Sequence, residues 1–134
     1  HPQFFGCDGM DGILSVENFD PALAEGLMLL TPFTVDEEGS QDFVKAYEEA
    51  YGIEPLQFGA GAYDSVYAIK AAAEKAGLTP DMDISDMCEA MKTAMTEITV
   101  DGLTGEGMTW NAAGEPDKAP KAAKIVNGVY EMMD

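Results

Sequence analysis

QFFGCDGMDG, residues 3–12, runs an aromatic pair into a glycine and then sets a carboxylate between two more glycines. The apolar residues ahead of the turn read as a short strand over residues 3–7. Gly6, Gly9 and Gly12 then permit a tight turn and a close approach to the backbone. In open α/β sheets, ligands bind beyond the carboxyl ends of the strands. Asp8 lies just past this strand end, and two readings follow. As a turn residue it would hydrogen-bond its own backbone. As a site residue it would accept hydrogen bonds from an ammonium group, each contributing about 1.5–3 kcal/mol net.

Working outward, the chain alternates short strands with helices, which predicts an α/β fold. Residues 12–18 read as a short helix with Ile13, Leu14 and Val16 as its apolar contacts. Asp20-Pro21 opens another turn or short helix, since proline suits a first helical position, and Gly26 closes it. Leu27 to Thr31 is a compact apolar run, predicted as a buried strand that Pro32 limits. A helix is expected over residues 36–51, with acids at its N-terminal end, Phe43, Val44, Tyr47 and Tyr51 along one face, and Gly52 as its stop. The strongest helix spans residues 58–76, where Tyr63, Val66, Tyr67, Ile69, Lys70 and Ala73 carry the helical spacing. Residues 84–95 give a third, whose Met87, Met91 and Met95 read as a core stripe. Short strands follow at 97–100 and 107–110, then a turn-rich stretch from Asn111 to Pro116. A closing hairpin, 122–126 and 129–132, turns on Asn127-Gly128, a type I′ signal.

Bulk properties narrow the function. The 134 residues, 46% apolar, suffice for one ordinary domain with a sizeable core. Twenty-five acidic residues against 7 basic ones give a net charge of −18. That field argues against nucleic acid and anionic membranes as partners and tolerates a cationic or zwitterionic ligand. No run approaches the roughly 20 apolar residues of a membrane span. The chain opens on His1 and reads as starting in mid-domain, so a piece of a longer protein is expected.

Several chemistries find no support. The only histidine is His1, which argues against a Ser-His-Asp or Cys-His arrangement and against a histidine metal site. Cys7 and Cys88 form neither a zinc pattern nor a disulfide framework and are expected as buried free thiols. Asp81, Asp83 and Asp86 fail as a calcium loop, because the glycine position holds Asp86 and the closing glutamate position holds Lys92; a helix-capping turn is the simpler reading. Gly59-Ala60-Gly61 hints at a dinucleotide fingerprint, but Asp64 stands at the third glycine position and the stretch before it contains Pro55. No cofactor and no metal are expected.

Five blocks in order, GCDGMDG, AEGLMLLTPF, DFVKAYEEAYGIEP, AYDSVYAIKAAAEKAG and GLTGEGMTWNAAGEP, resemble the type I periplasmic binding proteins. The likeness is strongest to the branched-chain amino acid (Leu/Ile/Val) branch of the ABC-transporter substrate-binding family and covers nearly the whole chain. It implies an α/β fold of two lobes clamping a ligand, with this chain a C-terminal part contributing to both. Residues 1–32 would end the second-lobe segment, 33–110 would belong to the first lobe, and 111–134 would cross back to the second. Pro32 and Gly105-Glu106-Gly107 would then neighbour the hinges. The resemblance puts Asp8 against the ligand's α-amino group and Met10 at the pocket wall, and leaves Tyr63 to core packing. It implies an amino acid or related solute as ligand, an ABC permease as partner, no enzymatic activity, and an extracytoplasmic location, with any lipid anchor outside this chain. Two rival readings remain at this stage: a cytosolic regulator of the same fold sensing amides or amino acids, and a nucleotide-using α/β enzyme fragment.

Overall fold

A computed structural model describes residues 2–133; His1 lies outside the described residues, as does Asp134. The chain divides into two compact units, one of residues 1–60 with 120–134 and one of residues 61–119.

The first unit is built on a four-stranded sheet in the order β1-β2-β5-β6. Its strands are β1 (Phe5–Gly6), β2 (Met28–Leu30), β5 (Ala122–Val126) and β6 (Val129–Met132). β1 and β2 are parallel, Phe5 facing Met28 and Gly6 facing Leu29. Parallel strands need a crossover, and residues 7–27 supply one from three short 3₁₀ turns, Asp8–Met10, Ile13–Ser15 and Pro21–Ala24. Asp20 caps the last, its carboxylate accepting the Ala22 N–H at 3.0 Å. β5 joins β2 antiparallel, Leu29 facing Ala123, and turns into β6 through Asn127 (φ 53°) and Gly128 (φ 78°). Positive φ at both positions is the type I′ geometry that matches strand twist. Ala24, Leu27 and Ile125 form a buried cluster against which Met10, Ile13, Leu14, Phe19 and Tyr130 pack. Val16, expected beside Ile13 and Leu14, stays exposed.

Helix α1 (Gln41–Tyr51) begins later than residue 36, because a 3₁₀ turn, Glu38–Ser40, precedes it. Gly52 ends it in the left-handed region (φ 72°), its N–H returning to the Glu48 carbonyl. Of the predicted face, Val44 is buried, while Phe43, Tyr47 and Tyr51 stack along the helix with ring centroids 5.7 and 4.7 Å apart.

Helix α2 (Gln57–Ala76) carries its first turn in the first unit and continues through the second. Its buried face is not the one its large residues suggested. Ala60, Asp64, Ala68 and Ala72 are buried, whereas Tyr63, Val66, Tyr67 and Ile69 are 41–65% exposed. Small side chains win that face because alanine allows close packing of neighbouring elements. In the second unit Ala68 and Ala72 meet Ala94, Ile98, Val100 and Met108, with Met91 and Met95 of helix α3 (Ile84–Met95) packed against them. Asp83 caps α3 through the Ser85 N–H at 2.9 Å, the role read for the acidic turn.

The strand expected at 97–100 reduces to a single bridge, Val100 to Met108. The strand expected at 107–110 is present as β3 (Thr109–Trp110) and pairs with β4 (Pro116–Asp117), which begins at the last residue of the stretch read as turn. Both cysteines are exposed, which corrects the expectation of buried thiols. Cys7 lies just beyond the end of β1, and Cys88 lies within α3.

Candidate functional site

The Cys7–Gly12 turn closes on itself through two bonds, Met10 N–H to the Cys7 carbonyl at 2.9 Å and Asp11 N–H to the Asp8 carbonyl at 3.0 Å. Two glycines are favoured here, Gly6 just ahead of the turn and Gly12 at its end. A Cβ on Gly6 would collide with the Met10 Sδ, and one on Gly12 (φ 84°) would stand 2.7 Å from Leu56 Cδ1. Gly9 faces open space.

Asp8 occupies the first position of the 3₁₀ turn and is exposed. Its backbone carbonyl accepts the Asp11 N–H and the Gln57 Nε2, and among the described residues its carboxylate has no hydrogen-bond partner. The turn is therefore held without using that carboxylate. Met10 is half-buried on the Ala24–Leu27–Ile125 cluster and lines an apolar cavity of about 450 Å³ that includes Phe4, Phe5 and Phe19. The structure thus places Asp8 outward and Met10 inward from one turn.

A second acid of the motif, Asp11, was not singled out from sequence. It is half-buried, and its Oδ2 accepts the backbone N–H of Gln57 at 2.9 Å, the first residue of α2. That N–H has no partner inside its own helix, and the positive end of the helix dipole favours a carboxylate there. Gln57 is 7% exposed and returns a second bond, Nε2 to the Asp8 carbonyl at 3.1 Å. On the other flank the Gly12 N–H donates to the Tyr130 hydroxyl oxygen at 3.2 Å. Burial, aided by the Asp11 charge, raises the Tyr130 pKa above its ordinary value. The signal for Asp11 in sequence was only its repetition in DGMD; its partners are 46 and more residues away, where local spacing is silent.

Asp11, Gln57 and Tyr130 also line a cavity of about 320 Å³ with mixed polar and apolar walls, together with Thr31, Thr34 and Glu54. The Thr34 hydroxyl is buried and without a hydrogen-bond partner there. Beside it Glu37 accepts the Thr34 N–H through one oxygen and pairs with Lys121 through the other at 2.7 Å. Among the described residues, no group of three or more His, Cys, Asp or Glu side chains is placed to hold a metal ion. Gly59-Ala60-Gly61 falls inside α2 with no strand ahead of it, so the strand–turn–helix context that a dinucleotide fingerprint requires is missing.

A family model described as periplasmic binding protein matches residues 7–128. The chain belongs to the periplasmic binding protein family. The turn lies within the matched residues, as does the lining of the 320 Å³ cavity but for Val129 and Tyr130, whereas the apolar cavity begins ahead of them at Pro2. A search of the curated proteins gives no match. Solved structures show the same fold. The leucine binding protein LivK from Thermotoga maritima is 22% identical, with a TM-score of 0.70 over 97% of this chain and 36% of its own. LivJ from Streptococcus pneumoniae, in complex with isoleucine, is 22% identical, with a TM-score of 0.74 over 99% of this chain and 37% of its own. A solute binding protein from R. palustris, in complex with benzoate, is 18% identical, with a TM-score of 0.68 over 92% of this chain and 32% of its own. The fold is therefore the α/β fold of the type I periplasmic binding proteins. This chain spans about a third of the length of those structures.

Proposed function

We propose that this chain is part of the substrate-binding component of an ABC importer, and that its ligand is an amino acid with an apolar side chain. Family membership and the leucine- and isoleucine-binding neighbours support the substrate-binding role. One observation carries the ligand class: Asp8 presents a carboxylate without a hydrogen-bond partner among the described residues, from a turn whose backbone is fixed on both flanks. An acid in that state can take an ammonium group at about 1.5–3 kcal/mol net. The benzoate-bound neighbour shows that this fold also serves ligands with no ammonium, so the acid is the feature that favours an amino acid.

In this reading residues 1–32 and 111–134 belong to the second lobe and residues 33–110 to the first. Ligand bound by both lobes would stabilise their closed arrangement, through its different affinity for open and closed states. Met10, beneath Asp8, would contribute to the apolar wall. Such a wall sorts side chains by only about 1–3 kcal/mol per methylene, so selection among Leu, Ile and Val is modest. The closed form would then deliver its ligand to a membrane permease from an extracytoplasmic position. No helix among the described residues is long and apolar enough to cross a membrane.

A thermal-shift series on a chain with both lobes complete tests the proposal. Leu, Ile or Val should raise the melting midpoint, and Asp8→Asn should abolish the rise. A rise that survives Asp8→Asn would remove Asp8 from the site, and a response to amides or nucleotides alone would overturn the ligand class.

A further inference from the structure

We infer that Gln57 is a positioning residue for Asp8, an inference that rests on the ammonium-binding role proposed above. Gln57 touches the turn twice: its N–H donates to Asp11 Oδ2 at 2.9 Å and its Nε2 to the Asp8 carbonyl at 3.1 Å. The Asp8 carbonyl also accepts the Asp11 N–H at 3.0 Å, so both lone pairs of that oxygen are engaged. The peptide that carries the Asp8 side chain is thereby fixed in orientation while the carboxylate itself stays open.

Burial argues that this contact is built in. A glutamine side chain is polar and long, and such residues are mostly exposed. Gln57 is 7% exposed, and its amide is satisfied by a residue 49 positions away rather than by its own helix. Leu56, one residue earlier, presses Cδ1 against Gly12 at the other end of the turn. The start of α2 therefore grips the Asp8–Gly12 segment at its carbonyl, its second carboxylate and its last glycine. A site acid held within a fraction of an ångström by its supporting residues binds more selectively than one on a free loop.

The test separates positioning from simple stability by asking for ammonium recognition. In a chain with both lobes complete, affinities for L-leucine and for 4-methylpentanoate, which lacks the ammonium, are measured by calorimetry for the wild type, Gln57→Met and Asp8→Asn. Methionine keeps the length of the side chain and removes the donor. The leucine preference should fall about tenfold in Gln57→Met, the scale of one lost hydrogen bond, and collapse in Asp8→Asn. A Gln57→Met protein that loses affinity for both ligands equally, or for neither, overturns the inference while the Asp8 reading stands. A preference that survives Asp8→Asn overturns the Asp8 reading and this inference with it. Should Gln57→Met not fold, Asp11→Asn, which keeps the side-chain shape and removes the charge that faces α2, is read by the same ratio.

Discussion

Asp64 shows what a single buried carboxylate does in this chain. It is 6% exposed and accepts three hydrogen bonds, from the Leu103 N–H and Thr104 N–H at 2.8 Å each and from the Thr104 hydroxyl at 2.7 Å. Lys118 in turn donates to the Thr104 hydroxyl oxygen at 3.1 Å. The carboxylate is thus the anchor of the 101–107 loop, and Gly102 is required there because a Cβ would stand 2.5 Å from Asp64 Cγ. Removing the acid leaves two backbone donors buried without partners. Asp64→Ala should therefore cost about 3 kcal/mol in a urea melt, with Thr104→Val costing about 1 kcal/mol. A loss below 1 kcal/mol for Asp64→Ala would mean that the loop finds other partners. In sequence this same aspartate served only to weaken a dinucleotide fingerprint; nothing local indicated that it clasps a loop 39 residues on.

At the scale of elements, α2 is the informative case. Its length and position agree with the expected 58–76 within one residue, because alanine-rich helical spacing and Gly77 are local signals. Its buried face was misread, because both faces are apolar and the spacing of large residues marks the outer one. A helix apolar all round belongs in a core, yet Phe58, Val66 and Ile69 are 58–65% exposed. That stripe is expected to draw two copies of this chain together. Sedimentation should show self-association that Val66→Lys with Ile69→Lys abolishes. A wild-type chain that sediments as a monomer at high concentration would refute this. The closing hairpin was read correctly to the residue, since Asn127-Gly128 dictates its own turn geometry without help from the rest of the chain.

The whole molecule is dominated by its charge. The seven basic residues are all lysines, set against 25 acids, and the four ion pairs among described residues engage four of those acids. Three of the pairs have side chains at least half exposed and contribute little to stability. Most of the net −18 is therefore uncompensated, and self-repulsion opposes the compact state. Raising salt from 0.1 to 1 M shortens the screening length from about 10 to about 3 Å. The melting midpoint should rise accordingly, by about 4 °C for each kcal/mol regained. A midpoint that is flat or falling in sodium chloride would show that repulsion is not a significant term.

By itself the sequence determined the α/β class, the three helices, the type I′ hairpin and the family likeness. All of these rest on local spacing, turn chemistry or composition. Tertiary structure alone decided which face of α2 is buried, that Cys7 and Cys88 are exposed, and that β3 pairs with β4. It alone brought Gln57 and Tyr130 to the turn that presents Asp8. Apart from the short β3–β4 ladder, those outcomes depend on contacts between residues tens of positions apart, where a backbone donor at one helix start meets a carboxylate from another segment, and no periodicity in the chain encodes that meeting.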